Sequence, residues 1–308
     1  MEFRTELLVK PAAFTFGLTD GVITIGSCFA DEIGNRLHHD KFNVLPNPFG
    51  TVYNPVSIHK LLEMAIRQEA PRLDGYCQRE GIFVHHDFHS SFSDVNQNVL
   101  ASKLIAQLKT VHQALKTSNV LIITYGTAWA YQQKSAKQVV ANCHKIPQHQ
   151  FDKFLITQKQ MLESFEHVEN LLRAFNPFIQ VMVTVSPVRH LKDTLELNSV
   201  SKSILRLACH SMTKIFQHVS YFPAYEIMLD DLRDYRFYKS DLIHPTEFAV
   251  DYIWQKFSDT YLSADTKTFL TRWNKIKSGL QHRAFNPSSE QHQEFLKRLD
   301  DEMKSLGF

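Results

Sequence analysis

The sequence has few cysteines, and none of them lies close to another. Its four cysteines are Cys28, Cys77, Cys143 and Cys209, so no C-x-x-C pair is present. This spacing excludes the usual zinc and dithiol motifs, and we expect four free thiols in a reducing cytoplasm. The 16 histidines are scattered along the chain. We therefore expect neither a metal nor an organic cofactor.

Two further features are missing: an excess of one charge, and a long hydrophobic run. The chain has 34 basic and 32 acidic residues, a formal net charge of +2, which gives no argument for a nucleic-acid partner. No run reaches membrane-spanning length. Glu2, Arg4, Glu6 and Lys10 interrupt the amino-terminal stretch, which lacks the apolar centre of a signal peptide. We expect a cytoplasmic protein that binds neither nucleic acid nor a membrane.

Strand-like and helix-like segments alternate along most of the chain. Apolar runs at 22–25, 42–45, 120–125 and 178–185 are typical of strands, and a shorter one lies near 221–222. The runs at 120–125 and 178–185 carry no charge, as expected of strands covered on both faces. Helical stripes lie between them, one of which is Val200, Ile204, Leu207, Ile215 and Val219. The alternation predicts an α/β fold with a parallel sheet and helices on both sides.

We predict one main domain over residues 1–262 and a helical extension over residues 263–308. Within the main domain, residues 50–94 form a predicted insertion that shapes a pocket and contains a hairpin turning at Glu80 and Gly81. The extension has two amphipathic stripes, and Ser288 with Gln291 resembles a capping box that opens the last helix. We expect the extension to pack on the core, with a homodimer contact through these helices as the alternative.

Ser27 follows the first predicted strand and precedes a helix. A helix amino terminus offers unsatisfied N–H groups and a positive dipole end, which stabilise a developing oxyanion. Ser27 is therefore a candidate nucleophile, and the alternative is a simple helix cap. Cys28 is a second candidate nucleophile, although a packing role is more typical of such a cysteine.

A serine nucleophile needs a base, and the base needs a group that orients it. Asp241 and His244 supply this pair near the other end of the sequence, where Pro245 keeps His244 out of a helix. A solvated loop with a capping carboxylate is the alternative interpretation of this D-x-x-H pattern.

Several short motifs together resemble the GSCFA domain family, whose relatives are the SGNH or GDSL-like hydrolases. They are Gly26-Ser27-Cys28-Phe29-Ala30, Asn47-Pro48-Phe49-Gly50-Thr51, His89-Ser90-Ser91-Phe92, Gly126-Thr127-Ala128-Trp129, Asn142-Cys143-His144-Lys145, Ser186-Pro187-Val188-Arg189-His190 and Asp241-x-x-His244-Pro245.

The resemblance implies a flavodoxin-like three-layer α/β/α sandwich and ester hydrolysis or acyl transfer. It gives Ser27 as nucleophile, His244 as base and Asp241 as the orienting carboxylate. The N–H groups of Ser27 and Gly50 would form the oxyanion hole. An acylated small molecule or glycan, such as an O-acetylated carbohydrate, is the expected substrate.

The sequence departs from this pattern at one oxyanion position. SGNH enzymes have an asparagine two residues after the glycine of the third motif, and here that residue is Ala128. The groups that could replace the missing donor are those of Thr127, Asn54, Asn142, His89 and His190. Because losing one donor costs about a hundredfold or more in rate, a catalytically weak or inactive binding protein is the alternative function.

Five residues are weaker candidates for substrate binding: His89, Trp129, Asn142, Arg189 and His190. Trp129 and Tyr131 could stack on a sugar, but we expect them to close the core. Arg189 is a candidate for an anionic substrate group, and an ordinary surface arginine is the alternative.

A metal site formed by His85, His86, His89 and the pair Cys143-His144 is the least favoured hypothesis, because no pair has the spacing of a zinc motif.

Overall fold

Strands and helices alternate along the residues that the computed structural model describes, 5–282 and 285–307. Its strands are β1 (Val22–Gly26), β2 (Val44–Pro46), β3 (Tyr76–Arg79), β4 (Ile82–His85), β5 (Val120–Tyr125), β6 (Trp129–Gln133), β7 (Gln138–Val140), β8 (Phe151–Leu155), β9 (Gln180–Val185) and β10 (Val219–Phe222). Its helices are α1 (Cys28–His39), α2 (Pro55–Arg67), α3 (Gln97–Thr117), α4 (Gln158–Phe175), α5 (Thr194–Ile215), α6 (Ala224–Glu226), α7 (Glu247–Tyr261), α8 (Ala264–Gln281) and α9 (Glu290–Ser305). Glu2 and Arg4 lie outside the described residues.

The central sheet has five parallel strands in the order β10-β9-β5-β1-β2. Every residue of β1 and β5 is buried, as their uncharged sequences predict. Helices flank the sheet, which confirms the predicted α/β class and is consistent with a three-layer sandwich. Because β1, β5 and β9 are neighbours, the loops that follow them meet at one edge of the sheet.

Alternate side chains of the sheet enter two separate hydrophobic cores. Ile23 and Ile123 face one core with α2, α3, α4 and α5, whereas Val22 and Ile122 face the other core with α1 and α7. Successive side chains of a strand point to opposite faces, so a fully apolar strand supplies both layers at once. The sheet is therefore held on both sides, and its strand ends are fixed positions for a site.

Two small antiparallel sheets extend the main sheet. The hairpin of β3 and β4 turns at Glu80 and Gly81, as predicted. The second small sheet, in the order β7-β6-β8, lies between β5 and α4 and was not predicted. Its strands are only three to five residues long and mostly half-buried, so they are too short to carry a clear hydrophobic periodicity.

The carboxyl-terminal helices form a pair, of which α8 contacts the main sheet domain. Trp273 is buried and donates its indole N–H to the carbonyl of His39 at 3.2 Å. Leu299 of α9 packs against Gly279 of α8. The cap of α9 is Ser289, which accepts the N–H of His292, rather than the predicted Ser288. Among the described helices, none combines the length and the apolarity that crossing a membrane requires.

Candidate active site

The turn after β1 places Ser27 at the start of α1. Gly26 has φ +135°, and a Cβ at this residue would lie 2.1 Å from the carbonyl oxygen of Thr124, so only glycine fits here. Ser27 occupies the N-cap position with φ −69° and ψ 173°, but its hydroxyl makes no capping hydrogen bond. The residue is fully buried, and Oγ has no hydrogen-bond partner. The simple capping role is therefore absent, and the hydroxyl is unused by the fold.

Asn47 holds this turn in place through hydrogen bonds to its backbone and to α1. Its Oδ1 accepts the N–H of Gly26 at 3.0 Å, and its Nδ2 donates to the carboxylate of Asp31 at 2.9 Å. The hydroxyl of Thr51 donates to the other oxygen of Asp31 at 3.0 Å. The motif that contains Asn47 and Thr51 thus fixes the backbone on both sides of Ser27.

The Asp241–His244 loop forms a compact hydrogen-bonded unit. Oδ1 of Asp241 accepts the N–H groups of Ile243 and His244 at 2.9 and 3.0 Å, and Oδ2 lies 2.7 Å from Nδ1 of the His244 ring. These contacts, led by the backbone N–H of His244, lower the pKa of Asp241 well below its usual range. An ionised Asp241 accepts the Nδ1 proton, which leaves Nε2 of His244 as a proton acceptor.

A cavity of about 470 Å³ connects the two motifs. His244 lines it on one side and Cys28, the residue after Ser27, on another. Ser27 does not itself line the cavity. A Cβ added to Gly126 would lie 3.3 Å from the Cβ of Ser27 and 2.9 Å from the ring of Tyr53, so Ser27 and Tyr53 both pack against Gly126. His244 and Cys28 thus line the same cavity, whereas Ser27 is only the neighbour of a lining residue, and Oγ of Ser27 makes no hydrogen bond to His244.

The three predicted oxyanion donors all have partners within the protein. The N–H of Ser27 donates to the carbonyl of Thr124 at 3.0 Å, and the N–H of Gly50 donates to the carbonyl of Asn47 at 2.8 Å. The hydroxyl of Thr127 shares a hydrogen bond of 3.0 Å with another hydroxyl, that of Ser201. Their role stays a prediction, and it requires these hydrogen bonds to be shared or to open during the reaction.

The other candidates for the missing donor differ in what they already bind. The side chains of Asn54, Asn142 and His89 each make hydrogen bonds to neighbouring protein groups. Asn142 and His89 do not line the cavity, whereas His190 does. Nε2 of His190 is enclosed and has no hydrogen-bond partner.

The polar residues on the buried face of α5 hold the strand-end loops together, and the sequence did not reveal them. Oδ1 of Asn198 accepts the N–H of His190 at 3.0 Å, and Oγ of Ser201 accepts the N–H of Ala128 at 2.7 Å. Nζ of Lys202 donates to the carbonyls of Gly126 and Ser186 at 2.8 and 2.7 Å.

Our prediction for the buried face of α5 was wrong. Val200, Leu207 and Ile215 are 42, 52 and 59% exposed, while Lys202 is only 1% exposed. These apolar residues lie on the exposed face of α5. The buried face includes a lysine and other polar side chains, so its residues do not stand out as an apolar stripe. Hydrophobic periodicity cannot identify a helix face that is buried for its hydrogen bonds.

Lys202 is a buried cation beside the nucleophile turn. Burial lowers the pKa of Lys202 to about 7, and the thiol of Cys28 lies close enough to affect it. Burial also raises the pKa of Cys28. A half-buried thiol with a raised pKa holds its proton and is a poor nucleophile, so Cys28 is a weaker candidate than Ser27 for this role.

The aromatic residues after β5 line the cavity rather than the core, so that expectation was wrong. Trp129 and Tyr131 are half-buried on β6 and form part of the wall. The ammonium of Lys153 lies 4.7 Å from the ring centre of Trp129 and pairs with Asp193. β6 projects these aromatic rings outward because β7 and β8, rather than the main sheet, are its neighbours.

Arg189 also lines the cavity, and its guanidinium lies 3.9 Å from the ring centre of Tyr238. Its N–H donates to the carbonyl of Ile243 at 3.3 Å, which ties the loop after β9 to the Asp241–His244 loop. This arginine is therefore a cavity residue held by a ring contact, and not an ordinary surface arginine.

The histidine-rich segment after β4 has a structural role. His85 and His86 are buried, and their rings hydrogen-bond to the carbonyls of Arg72 and Asn142 at 3.0 Å each. Within the described part of the chain, no group of three or more histidine, cysteine or acidic side chains could hold a metal ion. The four cysteines are unpaired. Of residues 50–94, Tyr53 and Asn54 are the two that line the cavity.

The comparison with protein families identifies the chain. The model of the GSCFA family matches residues 21–257, which include Ser27, Asp241 and His244. The model described as the GSCFA domain protein, C-terminal domain, matches residues 273–307, across α8 and α9. No curated protein matches the chain. Because the first match covers more than half of the sequence, the chain belongs to the GSCFA family.

Proposed function

We propose that this chain is a serine esterase or acyl transferase of the SGNH, GDSL-like kind. Ser27 is the nucleophile, His244 the general base and Asp241 the carboxylate that orients it. The observation that carries this proposal is the 2.7 Å contact between Asp241 and Nδ1 of His244, in a loop whose histidine borders the same cavity as the turn of Ser27.

The proposed reaction begins when Oγ of Ser27 attacks the ester carbonyl and Nε2 of His244 takes its proton. Asp241 remains ionised because its pKa is lowered, and it stabilises the imidazolium that forms. The positive end of the α1 dipole lies beside the developing oxyanion. His244 then gives the proton to the leaving alcohol, and water or an acceptor alcohol attacks the acyl-enzyme to release the acyl group.

The enclosure of Ser27 means that the substrate must displace part of the cavity wall. Ser27 is fully buried and does not line the cavity, whereas the adjacent Cys28 and Tyr53, which is 39% exposed, do. Catalytic hydrogen bonds are often long or absent before the substrate binds and form in the complex. We therefore expect the Ser27–His244 hydrogen bond to form on binding.

The cavity wall supports an acylated small molecule or glycan, such as an O-acetylated carbohydrate, as the substrate. Trp129 and Tyr131 offer apolar ring surface, and Arg189 offers hydrogen-bond donors. A volume of about 470 Å³ is within the range of sites for small ligands. We further propose that the protein acts in the cytoplasm, where unpaired cysteines such as these four are typical.

A fluorophosphonate probe tests the nucleophile directly. We expect covalent labelling of Ser27, located by peptide mass spectrometry, and hydrolysis of 4-nitrophenyl acetate. Both are lost in Ser27→Ala, and labelling slows strongly in His244→Ala. Ser57→Ala is the matched control, because Oγ of Ser57 is also buried without a hydrogen-bond partner, but neither of its neighbours in the chain lines the cavity, whereas Cys28 beside Ser27 does. Turnover that survives in Ser27→Ala excludes this serine as the nucleophile.

A binding protein without efficient chemistry is the second candidate function. It is favoured by the engaged N–H groups of Ser27 and Gly50, and by the lack of a hydrogen bond between Oγ of Ser27 and His244. In that case the native protein takes no fluorophosphonate label and hydrolyses no ester, while calorimetry detects binding of an O-acetylated saccharide. Binding that weakens in Arg189→Gln places the ligand in the same cavity.

A further inference from the structure

The reaction proposed above needs a hydrogen-bond donor that the sequence pattern does not supply. Negative charge develops on the carbonyl oxygen as Oγ of Ser27 attacks, and preorganised donors stabilise it. Ala128 has no donor side chain, and its backbone N–H donates to Oγ of Ser201 at 2.7 Å. The predicted donors on Ser27 and Gly50 are also engaged. A further donor has to come from another part of the cavity wall.

His190 is fixed in that wall by its backbone and its ring. It follows β9 in the chain, and its N–H donates to Oδ1 of Asn198 at 3.0 Å. Its ring meets the ring of Tyr53 edge to face, with 5.3 Å between the centres. Tyr53 and Ser27 both pack against Gly126. His190 therefore lies across one aromatic ring from the nucleophile turn, in the same cavity as His244.

Nε2 of His190 is an enclosed polar atom without a hydrogen-bond partner. Such atoms are rare in folded proteins, because an unsatisfied buried group costs free energy. The other candidates, Asn54, Asn142 and His89, already make hydrogen bonds with the protein. Of these candidates, His190 is the one that lines the cavity and has a ring nitrogen without a hydrogen-bond partner in the protein.

The surroundings of His190 keep its ring neutral. Burial, followed by the charges of Lys202 and His244, lowers the pKa of His190 to about 3. A neutral imidazole has one N–H donor and one lone pair. At neutral pH the ring can donate a hydrogen bond to an oxyanion without losing its own proton, and it does not compete with His244 as a base.

We propose that His190 donates an Nε2–H hydrogen bond to the substrate oxyanion, in place of the amide that Ala128 lacks. This inference rests on the function proposed above. As the bond between Oγ of Ser27 and the carbonyl carbon forms, the carbonyl electron pair moves onto oxygen, and His190 stabilises that charge with no proton transfer. The pair returns when the bond to the leaving alcohol breaks, and His244 protonates that alcohol.

The test compares two variants of similar size. His190→Leu removes the donor, and we expect kcat for 4-nitrophenyl acetate to fall about a hundredfold while KM stays within about twofold. His190→Gln keeps an N–H donor, so most of the lost kcat returns. The shape of the pH–rate profile stays that of the wild type in both variants, because His244 remains the base. His210→Leu, an exposed histidine of α5, is the control and keeps full activity.

Each other outcome has a defined meaning. An unchanged kcat in His190→Leu overturns the proposal while leaving Ser27 as nucleophile. Equal losses in both variants together with a lower melting temperature assign His190 a structural role. A changed pH–rate profile makes His190 an acid or base instead of a donor. A wild-type protein that takes no fluorophosphonate label and turns over no ester removes the proposed function, and this inference with it.

Discussion

The two halves of the candidate active site are built in opposite ways. Ser27 is fully buried, and the turn around it is tied by Asn47 and by the ends of parallel strands. The side chains of Asp241 and His244 are 43 and 44% exposed, and their loop is held mainly by its own hydrogen bonds. The proposed nucleophile is thus part of the core, whereas the proposed base and its carboxylate are partly exposed at the surface.

Because of this difference, we expect changes in the two halves to have different effects on stability and on activity. A change in the Ser27 turn disturbs packed strands, so it affects stability and activity together. We expect a change in the Asp241–His244 loop to affect activity much more than stability, because the loop lies outside the packed sheet. Variants in each half test whether their effects on stability and activity differ in this way.

Gly26→Ala has the largest expected effect. The new Cβ meets the carbonyl of Thr124, and φ +135° is unfavourable for alanine, so we expect a loss of about 3 kcal/mol or more in the free energy of unfolding. Urea denaturation measures it. The control is Gly81→Ala, where φ is +81° but no atom lies within 4 Å of the added Cβ. We expect about 1 kcal/mol there. Equal losses at both positions contradict the packed-turn interpretation.

In the half that contains Asp241 and His244, Asp241→Asn should lower activity and leave stability nearly unchanged. The amide keeps a carbonyl oxygen for the loop N–H groups but turns an N–H toward Nδ1 of His244, which favours the wrong tautomer. We expect kcat/KM for 4-nitrophenyl acetate to fall by about 10³ to 10⁴. The free energy of unfolding should stay close to that of the wild type, because the side chain is half-exposed.

Asp234→Asn is the control for this variant. Asp234 also accepts a backbone N–H, that of Arg236 at 2.9 Å, but it does not line the cavity. Its activity should equal that of the wild type. A fully active Asp241→Asn variant excludes Asp241 as the orienting carboxylate.

Lys202 gives the buried half a pH dependence of stability above neutral pH. Its pKa is about 7 in the folded protein, while an unfolded lysine titrates near 10.4. Between these values the unfolded chain binds more protons, so stability rises with pH. From pH 7 to 8.5, a range that stays below the raised pKa of Cys28, this rise should be about 1 to 2 kcal/mol.

Lys202→Met should abolish this rise, as measured by urea unfolding at several pH values. Lys214→Met on the exposed side of the same helix should leave the slope unchanged. The slope is the decisive quantity, because the variant also loses the hydrogen bonds to Gly126 and Ser186 and changes the absolute stability. A slope that persists shows that another group titrates in this range.

The same contrast explains what the sequence could and could not predict. The runs of β1, β5 and β9 are apolar enough to predict a parallel sheet, and the adjacent loops follow from that topology. Lys202 and Asn198 could not be predicted, because a polar residue on a helix looks solvent-exposed until its carbonyl or N–H partner is known. The sheet formed by β6, β7 and β8 was missed because its strands have too little apolar periodicity.

Leu242→Gly has the smallest expected effect, and it tests whether the Asp241–His244 loop is less tightly packed than the Ser27 turn. Leu242 lies between Asp241 and His244 with φ +58°, a conformation that costs a non-glycine residue about 1 kcal/mol. Glycine relieves this cost but gives the unfolded chain more freedom, so the two effects nearly cancel and we expect a change below about 1 kcal/mol. Activity should fall only a few-fold, since the Asp241 hydrogen bonds remain. Leu242→Ala, which keeps the strain, is the matched variant. If Leu242→Gly destabilises the protein as much as Gly26→Ala does, the loop is as tightly packed as the nucleophile turn and the two halves do not differ.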